Sequence, residues 1–182
     1  MQHFDEILDI VDANDCVIES LPRAVVYQKN LCSQMRSVWL IIKNQQGKLW
    51  IPRRSWNLPQ LPGHLDGSVV GHVRAGETYE QALIRESVEE IGHDLSDVSY
   101  KLLGKLTPHE HQAFCFASVY ECVMSEEPKN WNREDICEWS WMSPEEILQR
   151  HEQGEKIKDT LPIILKQFYV NLDSRSKSGM TE

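Results

Sequence analysis

Residues 85–90 read Arg-Glu-Ser-Val-Glu-Glu, and their three glutamates are the part of this 182-residue chain best equipped for chemistry. With about 100° of rotation per residue and Glu86 set at zero, Glu90 falls near roughly +40° and Glu89 near roughly −60° on a helical wheel. Three carboxylates then share one face. Ile84, Val88 and Ile91 fall within roughly 40° of the opposite direction, which predicts the buried face. Like charges at i, i+4 cost a few tenths of a kcal/mol even when exposed, and more when desolvated. The segment 71–93 carries five glutamates and two arginines, a formal balance of −3. A hard divalent cation bound through oxygen is the natural counter-charge. The rival reading is a solvated helix face, which is what an arbitrary R-E-x-x-E-E helix usually is.

The flanking residues decide between the two. Gly71, Glu77, Arg85, Glu86, Glu89, Glu90 and Gly92 fill all seven fixed places of the pattern G-x5-E-x7-R-E-U-x-E-E-x-G-U, where U is a bulky aliphatic. At roughly 6% usage per residue type, such a match at a given start has a probability on the order of 10⁻⁹. The segment resembles the box of the Nudix hydrolases. Ser87 and His93 depart from it, standing where aliphatics are usual, which puts the local packing of the helix in question.

The resemblance implies a Nudix-type α/β/α sandwich with a mixed central sheet, and hydrolysis of a diphosphate linkage in a nucleoside diphosphate derivative or nucleotide. It implies that Glu86, Glu89 and Glu90 hold Mg²⁺, with Mn²⁺ as a substitute and the Gly71 carbonyl adding an oxygen. Such an ion neutralises the diphosphate, lowers the pKa of a bound water and aligns attack. Arg85 is expected to orient one of the glutamates by a charge-assisted hydrogen bond. Glu77 either closes the loop onto the helix or joins a second metal's shell. The general base comes from the box or from a later loop, where Glu110 in Pro-His-Glu-His could serve as base or ligand; an ordinary exposed carboxylate is the alternative. His109 and His111 have transition-metal spacing for a strand, a weak signal in isolation. Arg53, Arg54 and Arg74 are candidate phosphate contacts, although adjacent arginines on a strand point to opposite faces, so one of Arg53 and Arg54 reaches the site. Trp56 could stack on a nucleobase, or simply belong to the core like most of six tryptophans in a small domain.

Outside the box, residues 50–54 and 68–73 resemble the Nudix branch that includes the isopentenyl-diphosphate isomerases. Those enzymes rely on a cysteine before the glycine of a Gly-His pair, where this chain has Val70, and on a later glutamate, where an ungapped alignment places His111. Valine has no proton to give, so hydrolysis is favoured over isomerisation. A non-catalytic nucleotide-binding module is the other rival, disfavoured because a pure binder has no reason to crowd three acids.

The bulk numbers set the frame. Length suits one domain, expected over 1–172, with a polar tail from 173 to 182 expected to be disordered. A formal net charge of −9 disfavours nucleic acid as a partner but not an anionic small molecule bridged by cations. No run approaches the ~20 apolar residues of a membrane span, and the acidic start lacks the features of a secretory signal, so a cytoplasmic protein is expected. A homodimer is left open. The five scattered cysteines suggest small core residues rather than disulfides or a zinc site.

The elements that must position the box are readable in outline. Residues 6–12 and 16–18 read as short strands around a turn, and 37–42 and 48–52 as a hairpin about Gly47. After a Pro/Gly-rich loop and a short strand at 68–70, Thr78 and Gln81 form a capping box that opens the glutamate helix, and Gly92 stops it. Strands follow at 100–106, 113–123 and 138–142, the last with Trp139 and Trp141 on one face. Ser143-Pro144 opens a helix, and another is expected over 161–172.

Overall fold

The computed structural model describes residues 6–170. Strands β1 (Ile7–Val11) and β2 (Val17–Pro22) form an antiparallel hairpin of their own. A short helix, α1 (Arg23–Gln28), follows; it lacks a side-chain cap and was not anticipated. Six more strands form one sheet: β3 (Arg36–Lys43), β4 (Leu49–Arg54), β5 (Val69–His72), β6 (Tyr100–Leu106), β7 (Phe116–Val123) and β8 (Ile136–Met142). Their order is β6-β7-β3-β4-β8, with β5 also paired to β3. The β3–β7 pair is parallel and the others antiparallel, so the sheet is mixed.

The apolar run along β3 has no solvent face because helices cover both sides of the sheet. Val38, Leu40 and Ile42 pack with Leu83 and Ile91 of α2 (Tyr79–Ile91). Trp39 and Ile41 pack with Ile147 of α4 (Pro144–Glu152) and with Leu161 and Ile164 of α5 (Thr160–Leu165). This is the expected α/β/α sandwich. A one-turn helix, α3 (Pro108–His111), replaces the loop read at Pro108. The final helix is shorter than expected: α geometry ends at Leu165 and one π-turn follows over Lys166–Val170. The expected tail and the end of that helix lie outside the described residues.

The feature that builds the site is a wedge in the sheet. β4 meets β3 only at Lys43 and Leu49, then diverges to run with β8. β5 takes up the edge of β3 that β4 leaves, pairing Val38 with Gly71 and Ser37 with His72. The helix is delimited as expected: Thr78 accepts from the Gln81 N–H while the Gln81 side chain returns to the Thr78 N–H, and Gly92 closes it at φ 62°.

All five cysteines are free, but only Cys115 and Cys122 are buried, so the expectation that most are core residues fails for Cys16 and Cys137, which are exposed. Burial pushes the Cys115 thiol up to about 11 and the Cys122 thiol up to about 12. No helix among the described residues is long and apolar enough to cross a membrane.

Candidate active site

Apolarity alone places the buried face of α2 only in part: Ile91 is buried and Ile84 packs against the same cluster, as expected, but Val88 is not buried. The buried positions are Ala82, Leu83, Glu86, Ser87 and Ile91, while Val88 is 49% exposed. Glu86 was the centre of the expected solvent face, yet it is turned inward against β5. Gly71 permits this: a Cβ there would overlap the Glu86 carboxyl group. The glycine is needed for close approach rather than for an unusual backbone angle. Ser87 is fully buried, and its hydroxyl donates to the Leu83 carbonyl at 2.8 Å, so a serine is accommodated where an aliphatic is usual.

Arg85 makes the buried acid tolerable. Its Nε and Nη2 donate to the two oxygens of Glu77 at 2.7 and 2.8 Å, a bidentate pair. Its Nη1 donates to Glu86 at 2.6 Å and to Glu89 at 3.3 Å, and Nη2 also reaches the His72 carbonyl at 2.9 Å. One guanidinium thus joins the loop, the strand and two of the three glutamates. Glu77 also accepts from the Arg74 N–H at 2.9 Å, so it closes the loop onto the helix. Burial by itself would weaken Arg85's hold on its proton, but Glu77 and Glu86 more than reverse that and push its pKa up.

The remaining two glutamates look in different directions. Glu89 is the more exposed and lies 3.4 Å from Arg74 Nη2. Glu90 accepts the Val70 N–H at 3.0 Å. Burial raises the pKa of Glu86, and the charges of Glu89 and Glu6 add to the rise against the opposing pull of Arg85. Burial also lifts Glu90 well above the usual carboxylate range, with Glu86 and Asp66 adding to it. Among the described residues no three of His, Cys, Asp and Glu converge as a metal-holding group. Arg85 holds Glu86 and Glu89, the Val70 N–H holds Glu90, and Glu86 and Glu90 lie close enough for the charge of one to raise the pKa of the other. The donor set nevertheless suits a hard dication. It is all oxygen, it sits in a cradle that a Cβ would fill, and its acids destabilise one another in the absence of further positive charge.

The other candidates separate clearly. Arg74 belongs to the cluster, its Nη2 lying 3.1 Å from Glu6 and its peptide N–H held by Glu77. Arg54 donates to Asp66 at 3.2 Å and to the Gln60 carbonyl, and Asp66 is one of the charges felt by Glu90, so Arg54 belongs to the same neighbourhood. Arg53 points elsewhere, held by Glu138 at 2.5 Å, Glu155 at 2.8 Å and the Gly63 carbonyl, which removes it from the phosphate contacts. The reason is the strand alternation that sends neighbours to opposite faces. Glu110 is exposed on α3 and lines a cleft of about 790 Å³ that Glu77, Tyr79 and His109 also line. His111 accepts from the Thr107 N–H at 3.1 Å and His109 packs edge-on against Phe116, so the two histidines serve different local contacts.

Two acids were missed. Glu6 reaches the box from the start of the hairpin, and Asp66 from the Pro/Gly-rich loop. Glu6 stands at the edge of the strand read from residue 6, just before β1 begins at Ile7, and Asp66 in an irregular stretch, and no spacing pattern ties either to the box.

Residues 33–162 match the family described as NUDIX domain. The chain is 45% identical to an uncharacterized Nudix hydrolase of Nostoc sp., over 91% of this chain and 97% of that relative. It is 35% identical to a Nudix hydrolase of Deinococcus radiodurans, over 91% and 95%. A crystal structure from Deinococcus radiodurans superposes with a TM-score of 0.85 at 35% identity, covering 90% of this chain and 99% of the other. A MutT protein structure from Methanosarcina mazei shares the fold at a TM-score of 0.60 and 24% identity, covering 79% and 95%.

Proposed function

The chain belongs to the Nudix family of hydrolases, and from that premise we propose that it cuts a diphosphate linkage in a nucleoside diphosphate derivative or nucleotide, with Mg²⁺ or Mn²⁺ as the working ion. The observation that carries the proposal is the Gly71–Arg85–Glu86 cradle, which keeps a buried carboxylate beside Glu89 and Glu90. Glu86, Glu89 and Glu90 are the proposed ligands, with the Gly71 carbonyl as a further oxygen. A bound dication supplies charge neutralisation for the diphosphate and acidifies a water. The acids must turn from their present partners to share it.

Arg85 positions Glu86 and Glu89 from the Glu77 anchor. Arg74 and Arg54 are the proposed phosphate contacts, because each is tied to the acidic cluster and retains donors beyond those ties. Proton removal from the attacking water is assigned to a carboxylate, either Glu89 at the exposed edge of the helix or Glu110 across the cleft. Isomerisation of a prenyl diphosphate is disfavoured because Val70 offers only a backbone N–H, already donated to Glu90.

A product-release screen over nucleoside di- and triphosphates, sugar nucleotides and dinucleotides, with Mg²⁺ and after EDTA, tests this. Turnover of at least one class, abolished by EDTA, is expected. Tight retention without turnover of any class would point to a binding module. Deuterium uptake into isopentenyl diphosphate without hydrolysis would point to the isomerase.

A further inference from the structure

We infer, building on the nucleotide hydrolysis proposed here, that the slot between Trp56, Trp131 and Arg133 takes the nucleobase of the substrate. The slot encloses about 360 Å³ where β4 runs out and β8 begins, with Ser55, Asn57 and Cys137 also on its walls. That volume is at the small end of the roughly 300–1,000 Å³ typical of ligand pockets, which suits one ring system with its sugar rather than a whole dinucleotide.

Its aromatic walls are held in place. Trp56 is 61% exposed, yet its ring is seated on Gly63, where a Cβ would overlap it. Trp131 meets Trp139 edge-on at 6.2 Å, and Trp139 in turn lies 6.0 Å from the buried Trp50, so the slot is buttressed by the core. The Arg133 guanidinium lies 5.3 Å over the Trp131 ring. Flat aromatic faces, a cation, a hydroxyl and an amide suit a planar ring with a polar edge. They suit a branched prenyl chain poorly.

The slot is also tied to the acidic cluster. The Asn132 N–H, between Trp131 and Arg133, donates to the Glu90 carbonyl at 2.7 Å. The Ser55 N–H donates to the Asp135 carbonyl at 2.7 Å, and Ser55 directly follows Arg54. The slot therefore adjoins the backbone of Arg54, the arginine proposed to hold the phosphates, and its wall is hydrogen-bonded to the end of the glutamate helix.

Nucleoside 5′-monophosphates of the four common bases, added in EDTA, test the slot apart from the chemistry. Cys137 lines it and is exposed, and Cys16, also exposed, stands just before β2 of the separate hairpin, outside the slot's lining, and serves as the control. At least one monophosphate should slow iodoacetamide labelling of Cys137 several-fold, read by mass spectrometry, with Cys16 unchanged. Trp56→Ala should abolish that protection and raise KM for nucleoside substrates about 5- to 150-fold with little change in kcat, while Trp56→Phe should stay near wild type. Trp56→Phe keeps a ring on Gly63, and an unchanged urea midpoint for both variants shows that the fold is retained. No protection of Cys137 in a protein that hydrolyses nucleotides overturns the slot. Protection in a protein that hydrolyses none supports the slot and overturns the hydrolysis.

Discussion

Gly71→Ala adds one methyl group at a position whose backbone any residue can adopt, so its whole effect comes from space. The new Cβ falls on the Glu86 side chain, overlapping Cδ, Oε1 and Cγ. Glu86 cannot simply retreat, because its Oε1 is held by Arg85 at 2.6 Å and the side chain is buried. Relief requires either breaking that pair or lifting β5 from β3, where Gly71 faces Val38. Overpacking of this kind costs about 1–3 kcal/mol. For a chain of this size each kcal/mol lowers the melting temperature by about 2–4 °C, so a loss of about 2–12 °C is expected by calorimetry. Displacing the carboxylate should also reduce kcat by about 10²- to 10³-fold, as for removal of a preorganised charge-stabilising group. Gly71→Ala/Glu86→Asp, one methylene shorter, should recover part of the melting temperature without recovering the rate. A Gly71→Ala protein melting within about 1 °C of wild type with unchanged kcat would refute the cradle.

Arg85→Lys keeps the charge but loses the fork that holds Glu77, Glu86 and Glu89 together; a stability loss of about 2–4 kcal/mol in urea titration is expected, and wild-type stability would contradict the hub role. Glu90→Gln should lower kcat on the order of 10²- to 10⁴-fold in a steady-state assay while the protein still folds, and undiminished turnover would remove Glu90 from the proposed ligands. Burial alone would raise Glu121, but hydrogen bonds from Lys43, Tyr169 and Lys101 outweigh it and hold its carboxyl below the usual range. A depressed folded-state pKa contributes stability that is present above the unfolded value near about 4.3 and lost as pH falls through the folded one. The urea midpoint should therefore fall more steeply between about pH 5 and pH 3 for wild type than for Glu121→Gln, and parallel curves would show that the cluster adds nothing.

The bounds of α2 were legible because local chemistry sets them: Thr78 and Gln81 satisfy the first N–H groups, and only glycine is comfortable at the φ of Gly92. Helices do cover both faces of β3, and this layered arrangement was legible through the box and the mixture of strands and helices around it. The orientation of α2 was not. A wheel ranks residues by apolarity, and Glu86 is buried in spite of its charge because Arg85 compensates it and Gly71 yields to it. The partners of Arg53 and Arg54 were half legible: alternation separates the two, but Glu138, Glu155 and Asp66 come from distant parts of the chain. Glu6 reaches the site through a tertiary contact that no local pattern announces.

Whether the acidic face of α2 gathers a divalent ion is tested most directly by titrating Mn²⁺ into wild type and Glu86→Gln and following the free ion by electron paramagnetic resonance. Saturable binding by wild type, displaced by Mg²⁺ and strongly weakened in the variant, is the predicted result. A wild-type protein that takes up no Mn²⁺ and still hydrolyses its substrate at full rate in EDTA would contradict it.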